Sequence, residues 1–196
     1  MHKRMSPHGD FDHIGNFYII QNKINIKNVV FNCGEFNDLE KEQIKVLEKK
    51  KIKYYSCIKE LNIDNRKLYF LQTKEYDNEN DNSNVIYIEL DGCKFMFMGD
   101  SGIEKEKDIL DKYNISNIDV LKVGHHGSKT SSSKKFIDEI NPRYVVISVG
   151  KNNRYGHPNK EVLNNLELSK IYRTDQDGSI MFKIKNNKLQ IETCSP

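Results

Sequence analysis

The chain has 196 residues, enough for one domain with a sizeable core. Lys and Arg total 31 against 28 Asp and Glu, and a net charge of only +3 permits contact with nucleic acid without arguing for it. No apolar run approaches the ~18 residues of a membrane helix, and residues 1–16 carry no apolar segment of the signal-peptide kind. The four cysteines, Cys33, Cys57, Cys93 and Cys194, stand far apart with no CxxC pair. Free thiols in a reducing cytoplasm are the expectation.

The first informative segment is His8-Gly9-Asp10-Phe11-Asp12-His13, two imidazoles and two carboxylates within six residues. Neighbouring carboxylates repel, and burying them without a counter-ion is costly. A divalent cation removes both penalties, and an Asp/His mixture suits Zn, Mn or Fe better than Ca. Val29 to Phe31 then read as a short buried strand. Residues 37–50 read as an amphipathic helix that Asn37 and Glu40 could open as a capping box. Residues 52–57 and 67–72 are strand-like, and the polar stretch 74–84 reads as a hairpin connection or a mobile flap.

Strands over 85–90 and 94–98 flank an Asp91-Gly92 turn, with Met96 and Met98 as core filler. Helices follow over 103–113, 133–140 and 159–168, alternating with buried strands over 118–123 and 144–149. A terminal hairpin, 179–184 with 188–193, closes around Asn186-Asn187. Nothing marks an internal boundary, so residues 1–196 read as a single α/β domain.

The chain has no histidine between residues 14 and 124. His125, His126 and His157 then fall at ends of expected buried strands, beside glycine, and Asp100 follows the strand 95–99 in the same way. Each has a bland alternative: Asp100 as a turn or helix cap, the His125-His126 pair as a backbone-bonded loop, His157-Pro158 as a structural bend. Together these segments bring His and Asp side chains to one sheet edge, the arrangement of a dinuclear hydrolase.

Ser6 with His8 to Gly15 (HGDFDHIG), Phe97 to Gly102 (FMGDSG), Leu121 to Ser133 (LKVGHHGSKTSSS), Ile147 to Pro158 (ISVGKNNRYGHP) and Arg173 to Ile180 (RTDQDGSI) are ordered as in a known family. The chain resembles the metallo-β-lactamase superfamily, in particular the metal-binding hydrolase domain of ComEC-type DNA-uptake proteins. The resemblance implies an αββα sandwich, incomplete at its N-terminus, because family domains begin some tens of residues before this first motif. It implies two divalent ions, Mn or Zn, held by His8, Asp10, Asp12, His13, Asp100 and a late histidine. His125 and His126 both remain candidates for that last place, with His126 entered as the ligand. Asp10 stands where most members have histidine, which hardens the site toward manganese. The superfamily's mid-chain histidine is missing here, and Asn82 and Ser83 stand in that interval.

Asp12 would orient the attacking water, and His125, His126 or His157 would protonate the leaving oxygen. Ser128, Lys129 and Thr130 offer donors to a phosphate, as do Lys151, Asn153 and Arg154, and Tyr155 offers a stacking face. The leading expectation is a phosphodiesterase acting on DNA through a metal-activated water. Two alternatives remain open: a metallo-hydrolase of small esters, lactones or lactams, and a metal-poor remnant that binds nucleic acid or a partner. Family domains are attached to a membrane channel and work outside the cytoplasmic membrane. This sequence shows no such channel, so a cytoplasmic, stand-alone role is the default, with oligomeric state open.

Overall fold

Alternation of apolar side chains along the strands decides how the layers stack. The computed structural model describes residues 2–5 and 11–195, with side chains from His13 onward. The first sheet has the order β1 (His2–Met5), β2 (Ile26–Phe31), β3 (Lys53–Ser56), all parallel. In β2, Val29 and Phe31 face one way and pack with Phe17 and Leu47, while Val30 faces the other. Phe17 opens α2 (Phe17–Lys23), which follows the single turn α1 (Phe11–Ile14), and Leu47 belongs to α3 (Asp38–Lys49). The expected capping box is present: Asn37 Oδ1 accepts from the Glu40 amide at 3.0 Å, and Glu40 Oε2 accepts from the Asn37 amide at 2.9 Å. Removing such a cap costs about 1 kcal/mol.

The second sheet begins with the antiparallel run β4 (Glu60–Ile63), β5 (Arg66–Phe70), β6 (Ile86–Leu90) and β7 (Cys93–Phe97). It continues in parallel through β8 (Val120–Lys122), β9 (Tyr144–Ile147) and β10 (Lys170–Arg173), giving the order β10-β9-β8-β7-β6-β5-β4. Parallel neighbours need crossovers, supplied by α4 (Ile103–Lys112), α5 (Lys134–Ile140) and α6 (Lys160–Asn165). Along β7 and β8, Phe95 and Val120 face Val30 of the first sheet, and Met96 and Leu121 face Ile109, Phe136 and Val162 of the helices. The layer order is therefore helices, sheet, sheet, helices, an αββα sandwich. The turn α7 (Thr174–Asp177) leads into the hairpin β11 (Ser179–Lys185) and β12 (Lys188–Cys194), whose Phe182, Ile184 and Leu189 pack on the core between the sheets.

Two expectations need correction. Cys33 and Cys57 are joined by a disulfide, with Cα atoms 4.6 Å apart, and only Cys93 and Cys194 are free thiols. Pairing of Phe31 with Ser56 in adjacent parallel strands brings the residues just beyond them together, a register that spacing along the chain does not reveal. The argument from four free thiols to a reducing compartment falls with it. The stretch 74–84 does connect β5 to β6, but it is anchored rather than flap-like. Lys74 pairs with Glu104 at 2.7 Å and Asp108 at 3.1 Å, and the Tyr76 hydroxyl donates to Asp108 at 2.7 Å. Among the described residues no helix is long and apolar enough to cross a membrane.

Candidate metal centre

Strands β7, β8 and β9 run parallel, so the loops that leave their C-terminal ends share one edge of the sheet. Asp100 follows β7, and the tight turn Gly124–Gly127 with His125 and His126 follows β8. His13, from α1, meets them there. Asp100 Oδ2 lies 3.2 Å from His13 Nε2 and 3.6 Å from His126 Nε2. One donor atom from each of the three residues falls within 4.8 Å of the others. Asp100 is buried, 3% exposed.

Local backbone explains each placement. Asp100 is not the cap of α4: the amide of Gly102 donates instead to Asp81 Oδ1 at 2.6 Å, and the Asp100 amide donates to Ser83 Oγ at 3.1 Å. The Asp100 carboxylate is turned to the histidines. His125 and His126 both sit in left-handed backbone, with φ of 46° and 55°. Such residues cost about 1–3 kcal/mol each and persist where the surroundings over-determine them. Here the His125 amide donates to the Gly99 carbonyl at 3.1 Å, and Gly127, with φ of 82°, lies against Pro158, which a Cβ would approach to 2.7 Å.

The turn splits its two histidines. His126 faces Asp100 and His13, and its Nδ1 lies 2.7 Å from the Ser148 carbonyl oxygen. His125 turns away, with Nδ1 3.3 Å from the Thr130 hydroxyl. Further along, Tyr155 stacks on His157 at 5.9 Å.

The charged surroundings were less visible in sequence. Glu106 of α4 is buried and accepts from the amides of Ser132 and Ser133, the latter at 2.9 Å, and the Ile103 amide donates to the Thr130 carbonyl at 2.9 Å. The helix that follows Asp100 thereby grips the loop that follows His126. Burial raises the Glu106 carboxyl above its ordinary range, although the two amides pull the other way. Burial lowers the Lys122 ammonium while the charge of Asp100 opposes that shift. Burial, with the charges of His125 and His126 behind it, also lowers His157. Asp81 and Glu106 carried no motif signal, and Lys122 lay within a motif without being singled out. Lys122 stands just ahead of the Gly-His-His turn, a position that could have flagged it.

The remaining expected site residues divide clearly. His8 and Asp10, and the side chain of Asp12, lie outside the described residues. Ser83 does stand behind Asp100, whereas Asn82 holds the Tyr76 backbone through both of its polar atoms. Asn153, expected to meet substrate, binds the His157 backbone N–H and carbonyl through its amide group at 2.9 and 2.7 Å and so shapes the loop that carries His157. Ser128 is buried and lies 3.0 Å from the Thr130 hydroxyl. Lys129, Thr130, Lys151, Arg154 and Tyr155 are exposed.

The donor set suits a divalent cation. A carbonyl oxygen only accepts, so in the neutral His126 ring the proton sits on Nδ1 and Nε2 keeps its lone pair. That nitrogen lies 3.6 Å from an Asp100 carboxylate oxygen, and an imidazole nitrogen beside a carboxylate is a donor pair suited to a divalent cation.

An αββα sandwich with His and Asp converging on one strand edge defines a class of metal-dependent hydrolase. Residues 8–151 match the model of the metallo-beta-lactamase superfamily, and the chain belongs to that superfamily. Within it, the chain is similar to ComE operon protein 3 of Bacillus subtilis, 33% identical over 186 residues, covering 91% of this chain and 24% of that protein. It is also similar to the competence protein ComA of Neisseria gonorrhoeae, 37% identical over 119 residues, 58% of this chain and 17% of that one. Recombination protein 2 of Haemophilus influenzae is 29% identical over 116 residues, 58% and 14% of the two chains. The chain spans a quarter or less of the length of these relatives. It is a metallo-beta-lactamase domain of the ComEC-like kind, and superfamily and His/Asp cluster together point to a hydrolase that uses divalent metal.

Proposed function

We propose that the chain is a phosphodiesterase acting on DNA, with divalent metal held by His13, Asp100 and His126 together with His8, Asp10 and Asp12. The observation that carries the substrate class is the charge of the rim. The two loops beside the centre, 127–133 and 148–158, contain Lys129, Lys151 and Arg154 and no Asp or Glu. A neutral lactam or ester has no use for three cations on loops without an acidic residue, whereas a phosphodiester backbone does. The competence and recombination names of the relatives agree with a nucleic-acid substrate.

When bound, a divalent ion at this position would polarise a phosphoryl oxygen and acidify water. The chain's own residues supply the rest. Lys129, Thr130, Lys151 and Arg154 would bind and orient phosphates. The Arg154 guanidinium lies 5.0 Å from the centroid of the Tyr155 ring, so a cation and an aromatic face are offered side by side. Asp12 would orient the attacking water. His125, half-buried beside the centre, would hand a proton to the leaving oxygen, and His157, whose neutral form burial favours, would stand beside it.

The test is cleavage of single- and double-stranded DNA oligonucleotides by metal-stripped protein reloaded with Mn²⁺ or Zn²⁺. Metal-dependent cleavage that falls steeply with added salt supports the proposal. Absence of cleavage of DNA or RNA under any divalent metal overturns it, and turnover of a small ester or lactone under those conditions selects the small-molecule reading instead.

A further inference from the structure

We infer that Ser83 is a positioning residue for Asp100, so that the interval lacking a histidine supports the metal centre from behind rather than ligating it. The inference rests on the reading that His13, Asp100 and His126 hold a divalent ion.

Ser83 is wholly buried, and its Oγ accepts from the Asp100 amide at 3.1 Å. Two residues earlier, Asp81 Oδ1 accepts from the amide of Gly102 at 2.6 Å, at the N-terminus of α4. Between them, Asn82 accepts from the Tyr76 amide at 2.9 Å and donates to its carbonyl at 2.7 Å, which closes the turn on itself. The backbone at Asp100 is thus pinned at its own N–H and again two residues on, by side chains of one rigid turn. An aspartate has only two side-chain torsions. Fixing its backbone therefore fixes where its oxygens reach, and a metal centre tolerates only about 0.5 Å of misplacement.

A bland role is conceivable, since any buried amide needs an acceptor. That role predicts a loss of stability with or without metal. Positioning predicts a loss of metal affinity in a chain that remains folded. Groups that orient ligands from behind change affinity by about 10–100-fold when removed.

The experiment compares wild type, Ser83→Ala and Ser83→Thr as full chains stripped with chelator. Zn²⁺ and Mn²⁺ affinity is read by calorimetric titration, and the thermal midpoint is read without metal. The expected result is about tenfold weaker binding for Ser83→Ala, recovery to within roughly threefold of wild type for Ser83→Thr, and a metal-free midpoint for Ser83→Ala lowered only by the roughly 2–12 °C that one orphaned buried amide costs. Unchanged affinity in Ser83→Ala overturns the inference. So does a threonine that fails to restore binding. Should Ser83→Ala not fold, Ser83→Cys, a poor acceptor of similar size, is judged by the same criteria. If wild type binds neither metal, the reading of the centre fails; if wild type binds and Ser83→Ala binds as well, only the role of Ser83 fails.

Discussion

The rings of His125 and His157 stand edge to face with their centroids 6.0 Å apart, while His126, the next residue after His125, shares Asp100 with His13. Adjacent histidines thus serve two groups, one at the strand edge where a cation fits and one on the rim. A regular strand would also send neighbours to opposite sides, but both rings would then leave the sheet plane. Left-handed backbone at both positions keeps the pair at the sheet's end.

The pair is therefore separable by mutation. His126→Ala is expected to weaken Zn²⁺ or Mn²⁺ binding by about 100-fold or more, because it removes a donor that the Ser148 carbonyl holds ready. His125→Ala should leave affinity nearly unchanged and lower turnover by about 10²–10⁴-fold, the usual contribution of a general acid. Calorimetric metal titration alongside a cleavage assay reads both. Equal losses of affinity in the two variants would contradict the division.

Reduction should destabilise the first sheet. The Cys33–Cys57 disulfide closes a loop with a sequence separation of 24 residues, and loops of that size stabilise by about 3 kcal/mol through the unfolded chain. For a domain of this size that is about 6–12 °C in melting temperature. Thermal melts with and without dithiothreitol, and a Cys33→Ser, Cys57→Ser double variant, measure it. Thiol titration under denaturing, non-reducing conditions should find two reactive groups, Cys93 and Cys194, rather than four.

If the rim binds a phosphodiester backbone, its cations should appear in the salt dependence. Removing one phosphate contact to single-stranded DNA shallows the slope of log K against log salt by about 0.7. Arg154→Ala should show this change with little effect on metal affinity. Tyr155→Ala should weaken binding by about 1–3 kcal/mol with the slope retained, since stacking carries no counter-ion term. Fluorescence anisotropy with a labelled oligonucleotide across a salt series separates the two.

Much of the fold was written locally. The box at Asn37 and Glu40, the Asp91-Gly92 turn, and the apolar strands around Met96 and Leu121 each need only nearby residues, and each formed where expected. The missed elements lack such signals. In α2, Phe17 to Ile20 are aromatic and β-branched residues that tertiary packing, not propensity, holds in a helix. Strands β4 and β10 have only four residues each, and neighbouring strands define them. Motif residues announced the histidines and Asp100, and Ser83 was marked only by its place in the interval that lacks a histidine; Asp81 and Glu106 were silent, because Asp81 to Gly102 and Glu106 to Ser133 are contacts between distant segments. The disulfide was hidden for the same reason.

One buried charge makes a prediction independent of the metal centre. Lys105 of α4 is 1% exposed, with its ammonium 5.1 Å from the centroid of the Tyr76 ring. Burial pushes it down from the ordinary 10.5 to about 8, against the opposing pull of Asp81 and Asp108. Between those two values the unfolded chain binds a proton that the native chain does not, so stability rises with pH across that window. Below it the native state carries a charge it would rather lose, at a cost of about 3 kcal/mol. Lys105→Met, similar in volume and uncharged, should therefore be more stable than wild type near neutral pH by up to that amount. The advantage should shrink as pH climbs past 8 and nearly vanish toward 10.5. Urea unfolding of both proteins over that range tests it. The difference between them isolates Lys105 from the other groups that titrate there, and a difference that stays constant with pH would place the effect in packing rather than in charge.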